Sequence, residues 1–441
     1  MTSTITPTGT ELQIATDSLF TNVVNNTTQT NYRTSQSFVK GDLPFGVNLY
    51  ARVRHIAQQT GYSKWSPVVT FQVAVPSKII GVCLDNSGTK GVFYWIDALG
   101  NKLDSFDWAN HPCYSGITAV LEDTARSSVY LTKFPKSYIK TAASGPTGSF
   151  ASGLKCWWIS SEPEEGFRPA LCFKRSTTQT DGVYNVADYA YMGRYLCHSE
   201  SVGGKTCCGS KPGQTVLAST TKANFKTYIT NRNNASAGVT GFRMFDIYDL
   251  GWLRTLALIA YADSDTLTRW GDNSAGTSYP KTGSTNARMC FKGSHSDPQV
   301  SMEDMWRCYW YYADLITVNS GVVTLTSPMD LTSSLSFGSA AQSRYKQPTT
   351  SGWIRDVLDC PFVVGNDTHD LMELFLPASV VSAENQGTFS DYHNEHWGGQ
   401  SIAFSSGAWW QFDTRAGLFT GETGAASAET MNEVGSRLSK N

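Results

Sequence analysis

Charge is scarce in this chain. Charged residues are 16% of the 441, and 35 Lys plus Arg against 37 Asp plus Glu leave a net −2. A general polyanion binder needs a strong basic excess, so no nucleic-acid partner is expected. Long apolar runs are also missing. The most apolar stretch, Leu250 to Ala262, is broken by Arg254 and is too short to span a bilayer. The start, Met1-Thr-Ser-Thr-Ile-Thr-Pro, has no basic n-region and no apolar h-region. The expectation is a protein that does not insert into membranes and that leaves a cell by lysis rather than by standard secretion.

The signatures of common catalytic sites are absent as well. No G-x-S-x-G sits between a strand and a helix, and H-E-x-x-H does not occur. Gly204-Lys205-Thr206 mimics the end of a P-loop, but Ser199 stands where the first glycine is required. The ten cysteines (Cys83, Cys113, Cys156, Cys172, Cys197, Cys207, Cys208, Cys290, Cys308, Cys360) contain no C-x-x-C pair, which argues against structural zinc. Cys207-Cys208 reads either as two loop thiols or as thiols that bond other cysteines in oxidising surroundings. Glu162, Glu164 and Glu165 cluster, as do Asp367, Asp370 and Glu373. Paired carboxylates can hydrolyse glycosides, but closeness in sequence does not give the separation that this chemistry needs. Solvated loops are the preferred reading, so no enzyme and no cofactor is expected.

What the chain does have is aromatic and loop-forming residues. Aromatics are 12%, with 38 Gly, and Ser, Thr and Asn are frequent. Disordered chains are poor in aromatics, so this one folds. The expected class is mainly β with a few helices (α+β). Residues 1–77 read as a small all-β module: Glu11 to Asp17 and Tyr50 to Ile56 both alternate at period 2. Pro76 begins a linker. Residues 78–441 form a larger region, divided into an opening β-rich part (78–175) and a core (176–441). Two helices are expected there: Thr220 to Arg232, and a buried one within Phe245 to Asp265, with Gly251 and the aspartates as breaks near its start. Ser301-Met-Glu-Asp has the form of a helix N-cap ahead of the aromatic run Met305 to Asp314.

Two resemblances follow from these segments. Tyr50-Ala-Arg-Val-Arg with Gly61-Tyr-Ser-Lys-Trp-Ser-Pro resembles the late strands of a fibronectin type III domain. That resemblance implies a β-sandwich with the tyrosine packed inside and an arginine ladder with the Trp-Ser pattern outside. Few residues precede Glu11, so its first two strands are shortened or missing, and a neighbouring chain is expected to cover the exposed edge. Further on come Gly91-Val-Phe-Tyr-Trp-Ile-Asp, His111-Pro-Cys-Tyr-Ser-Gly-Ile, Lys155-Cys-Trp-Trp-Ile-Ser, Asp181-Gly-Val-Tyr, Ala190-Tyr-Met-Gly-Arg-Tyr, Trp306 to Asp314 and Val434-Gly-Ser-Arg-Leu-Ser. Their order resembles the C-type-lectin-like domain of phage tail-fibre and tropism-determinant proteins. Of that family's phrase W-G-N-x-W-E-W-x-D-G, Trp306, Trp310 and Asp314 fit, whereas Arg307, Cys308, Tyr311, Tyr312 and Leu315 depart from it. Lectin calcium triplets such as Glu-Pro-Asn are absent, so calcium-dependent sugar binding is not expected.

Residues 387–415 have the composition of a paratope, with Tyr and Trp for contact area and Ser, Gly and Asn for adaptable hydrogen bonds. The resemblance implies that this segment contacts the receptor, through Tyr392, His393, Asn394, Glu395, His396, Trp397, Trp409 and Trp410. Asp391, His393, Glu395 and His396 also form the best metal candidate, with a polar loop as the simpler reading. The expectation is a tail fibre or receptor-binding protein of a virion, made in the host cytoplasm and released by lysis. It would bind other tail proteins through residues 1–77 and a host-cell surface receptor through the larger region. The family resemblance further implies a homotrimer. A structural virion component and a polysaccharide depolymerase are the alternatives.

Overall fold

The structure is a computed structural model. It describes every residue except 1–5, 37, 39–42, 44–47, 58–60, 73–77, 124–125, 236–238, 271–280, 285–287, 292–300, 307–308, 390, 396–401, 407–414, 416, 427–433 and 441, and it leaves undescribed the side chains of 72, 402–406 and 423–426. Strands dominate, with four α-helices among the described residues, so the mainly β, α+β class holds. The chain divides into two compact units, Met1–Ser77 and Lys78–Asn441.

In the first unit, β1 (Gly9–Ala15), β2 (Val23–Gln29), β3 (Asn48–Ala57), β4 (Gly61–Tyr62) and β5 (Val69–Gln72) make one antiparallel sheet. Its order is β2-β1-β3-β4, with β5 also pairing with β3. A sandwich has two sheets; the described strands of this unit make one. Period-2 alternation assigns the faces. Leu12, Ile14, Leu49 and Ala51 share an apolar cluster with Leu43, Phe38 and Phe71. Arg52 and Arg54 occupy the opposite face. The Arg52 guanidinium lies 3.9 Å from the Phe20 ring and 4.5 Å from Trp65. Arg54 lies 3.9 Å from Tyr62 and 4.3 Å from Trp65, and ion-pairs with Glu11 at 2.6 Å. Tyr50 is two residues from Arg52 on an alternating strand, so it shares the arginine face and does not pack inside.

In the second unit, one core includes residues from Ile80 to Phe419, so it runs across residue 175. A five-stranded sheet contains Ile79–Asp85 and Lys155–Ser160 as adjacent inner strands. Their near-continuous apolar sequences match burial on both faces. Trp157 stacks on Phe375 at 5.5 Å, and its Nε1–H donates to the Met372 carbonyl at 2.9 Å. Trp158 points the other way, over Gly81, and donates to the Asp97 carbonyl at 2.9 Å. A Cβ on Gly81 would lie 2.4 Å from Trp158 Cδ1 and 2.7 Å from the Trp157 carbonyl oxygen. Gly81→Ala is therefore expected to destabilise this unit by about 1–3 kcal/mol, the usual cost of overpacking a core. Urea denaturation followed by tryptophan fluorescence checks this, and an unchanged midpoint would refute it.

The helices are α1 (Pro112–Ser115), α2 (Lys222–Ala235), α3 (Ile247–Tyr261) and α4 (Thr266–Trp270). All of α3 except Tyr261 is buried, as its wide apolar surface predicts. The aspartates do not break it. Asp246 is its N-cap and forms a capping box with Asp249, and both carboxylates pair with Arg175 and Arg243. Gly251 does not break it either. A Cβ there would sit 2.5 Å from the Glu373 carbonyl oxygen, so glycine allows that close approach. The expected N-cap at Ser301 is instead a strand, Ser301–Glu303, and the aromatic run continues into the strand Trp310–Asn319. Tyr, Trp, Thr, Ile and Val favour a pleated, buried surface, and that preference decides the segment. Trp306 and Trp310 are buried, and Asp314 pairs with Lys222 and Lys226 of α2.

Candidate recognition site

The strand Tyr392–Asn394 lies inside an eight-stranded sheet. Antiparallel to it runs Gly352–Val357, with Trp353 opposite Tyr392 and Gly352 opposite His393. Parallel to it runs Gly421–Ala426, with Gly421 opposite His393 and Glu422 opposite Asn394. The next strand is Ile402–Ser406, which also pairs with Trp310–Asn319. The strands Tyr392–Asn394 and Ile402–Ser406 thus lie in one sheet.

Burial along this strand, and not alternation, separates the candidates. Tyr392 is half-buried. Its ring meets Trp353 edge-on at 5.6 Å, and the Arg415 guanidinium stands 5.8 Å from it. Glu395 is also half-buried, and its backbone N–H donates to Ser351 Oγ at 2.8 Å. His393 and Asn394, at 0% and 8% exposure, belong to the interior of this unit and not to its surface. His393 Nε2 lies 3.2 Å from the Pro348 carbonyl. A carbonyl only accepts, so Nε2 carries the proton and Nδ1, which has no partner among the described residues, is the bare nitrogen. Burial lowers the His393 pKa and keeps the ring neutral. Asn394 donates to Glu422 Oε1 at 3.3 Å. His396, Trp397, Trp409 and Trp410 lie outside the described residues.

Asp391 precedes the strand and is 1% exposed. Its Oδ2 accepts the Phe419 N–H at 2.5 Å, while Oδ1 faces Gly417 and has no hydrogen-bond partner among the described residues. Burial, helped by the nearby charge of Asp265, pushes its pKa up to about 8, against the lowering effect of the Phe419 N–H and of Arg254. Below that pH the carboxyl is protonated and neutral. Among the described residues, no three His, Cys, Asp or Glu side chains converge as metal ligands do.

Four of the six clustered carboxylates hold structure, whereas Glu164 and Glu165 are exposed. Glu373 accepts from Arg168 and from His369 Nδ1, and both partners hold its pKa at about 2 against the effect of burial. Asp370 caps the turn Leu371–Leu374, and Asp367 pairs with Lys174. Glu162 pairs with Lys78. Sequence reasoning had missed Trp353 and Arg415, which flank Tyr392. The available clue was a tryptophan beside a glycine at a strand start (Gly352-Trp353).

No protein-family model matches this chain, and a search of curated proteins finds no match.

Proposed function

We propose that the chain is a non-enzymatic bacteriophage virion protein, a tail fibre or receptor-binding protein that attaches to a glycan or outer-membrane protein on the host cell. The observation that carries this reading is the Tyr392 rim. A half-exposed tyrosine, backed by Trp353 and flanked by Arg415, stands on a sheet strand that leads into a Trp-, Gly- and His-rich segment. Aromatic faces stack on sugar rings or protein side chains, and the charged neighbour sets orientation. The resemblances seen in the sequence point the same way. In this reading the first unit docks on other tail proteins, the assembly is a homotrimer, and weak contacts gain strength from copy number.

The test is binding of the full-length protein to intact host cells. Tyr392→Ala and Arg415→Ala are each expected to weaken binding about tenfold, the size of one stacking or cation–π contact with its orientation. Wild-type-like binding by both variants would move the site elsewhere. No binding of the wild type to any host that the parent virus adsorbs to would refute the reading.

One observation favours the second reading, a structural virion component. The edge strand β2 is Val-Val-Asn-Asn-Thr-Thr-Gln, without charge or proline and mostly exposed. Such an edge is a template for pairing with another chain. Particles that lack the protein but still adsorb would favour this reading.

A further inference from the structure

The free edge of β2 and a cleft meet on one side of the first unit. Directly opposite residues on neighbouring strands share a face. Gln29, Thr10 and His55 therefore form one row, Thr27, Leu12 and Val53 the next, and Asn25, Ile14 and Ala51 the third. The third row is closed by the apolar cluster around Leu43, and Ile14 is buried there. The middle row stays open, with Leu12 and Val53 half-buried. The chain after β2 returns over this face. The Arg33 N–H donates to Thr10 Oγ1 at 3.2 Å, and the Tyr32 ring lies 5.3 Å from that of His55. Between this segment and the open row is a cleft of about 400 Å³. That volume falls within the roughly 300–1,000 Å³ of ligand pockets. Leu12 and Val53 line it, hydroxyl and amide side chains surround them, and no carboxylate contributes. Arg33 is its one Lys or Arg; its Nε donates to Asn31 Oδ1, and the guanidinium makes no ion pair among the described residues.

We propose that the first unit takes up an extended segment of another protein, which pairs as a strand with β2, seats a large apolar side chain in the cleft and sets a carboxylate on Arg33. β2 ends the sheet, and among the described residues nothing pairs with its outer edge. It carries no charge and no proline to keep another strand away. A strand added there continues the three rows, so its alternate side chains land on the cleft face. One of them meets the open apolar row. The next, two residues along, meets the row of Thr10, to which Arg33 is tied. The pattern recognised is an apolar residue and an acid with one residue between them. Main-chain pairing supplies affinity, and the cleft supplies selection. A small molecule would use the cleft and leave the edge unpaired. A second copy of this chain, paired β2 to β2, brings no carboxylate to Arg33.

This mode rests on the reading that the first unit docks on other proteins of the particle. Docking as such is scored separately: a full-length chain absent from purified particles would refute that reading, whereas a negative peptide result with the chain present refutes the mode alone. The probe is the fluorescein-labelled peptide Thr-Glu-Thr-Tyr-Thr-Glu-Thr, which reads alike in both directions and so suits either strand polarity. Its binding to the full-length protein is followed by fluorescence polarisation, and hydrogen exchange reports on residues 23–29. The expected result is saturable binding with slowed exchange within 23–29. The peptide with both glutamates replaced by lysine should bind about tenfold more weakly. In Arg33→Glu, a change at an exposed position, the order of the two peptides reverses. No saturable binding, equal binding of both peptides, or an order unchanged in Arg33→Glu would overturn the proposal. So would binding that leaves exchange at 23–29 unaltered, which marks a ligand of the cleft alone. Protection of 23–29 that grows with protein concentration without peptide would give the edge to a second copy, and would overturn it too.

Discussion

Arg254→Leu is expected to cost about 3–5 kcal/mol and to loosen the recognition site together with the core. The guanidinium sits mid-way along α3, fully buried. Nε donates to the Leu418 carbonyl at 3.0 Å, Nη1 to Leu374 at 3.0 Å and Nη2 to Thr420 at 3.2 Å. These carbonyls come from two separated segments. Leu374 ends the turn Leu371–Leu374, and Leu418 to Thr420 lead directly into the strand beside Tyr392–Asn394. Burial drags the Arg254 pKa down to about 10, so the group remains charged at neutral pH. Leucine fills part of the volume but leaves three acceptors without these donors, at about 1–3 kcal/mol each before relaxation. Lysine offers one ammonium in place of a planar fork, so Arg254→Lys should recover little. Urea denaturation measures the loss, and hydrogen exchange at residues 391–394 and 418–421 locates it. A variant within about 1 kcal/mol of wild type would show that this fork does not hold the two segments.

Arg254 also shows what the sequence made legible and what it hid. As a residue that interrupts an apolar run, it argued against a membrane span. Nothing in its neighbours identifies acceptors more than a hundred residues away. The run itself was readable, because a wide apolar surface at helical spacing implies a buried helix. The start of α3 was misread for a physical reason. Asp246 and Asp249 look like helix breakers in isolation, but four-way pairing with Arg175 and Arg243 turns them into a cap. The Trp310–Asn319 strand was obscured by a cap-like Ser-Met-Glu-Asp upstream, and tertiary burial on both faces overrode that local pattern. At the site, aromatic composition pointed to Tyr392. Alternation alone could not say which of its neighbours turn inward, because this strand is flanked on both sides and His393 and Asn394 are drawn into the interior.

Asp391→Asn should be the most pH-revealing substitution. In the folded protein the Asp391 carboxyl titrates near 8, against an ordinary 3.8. Between those values the folded state holds a proton that the unfolded chain has released. Folding stability therefore falls by about 1.4 kcal/mol for each pH unit in that window and levels off above it. Across the window the loss approaches roughly 6 kcal/mol. Asparagine removes this titration, still accepts the Phe419 N–H, and places an amide where Oδ1 has no partner among the described residues. Other groups act in the opposite sense over part of the range. Burial lowers the His111 and His198 pKa values to about 4, so protonation favours the unfolded chain and stability rises with pH between 4 and 6.5. Wild type and variant share those histidines, so the difference between the two isolates Asp391. The expected result is a stability gain for the variant that is near zero at pH 4 and grows steadily to pH 8, read from urea midpoints at each pH. A flat difference would mean that Asp391 is ionised throughout, and that the loop at Gly417 to Thr420 opens to solvate it.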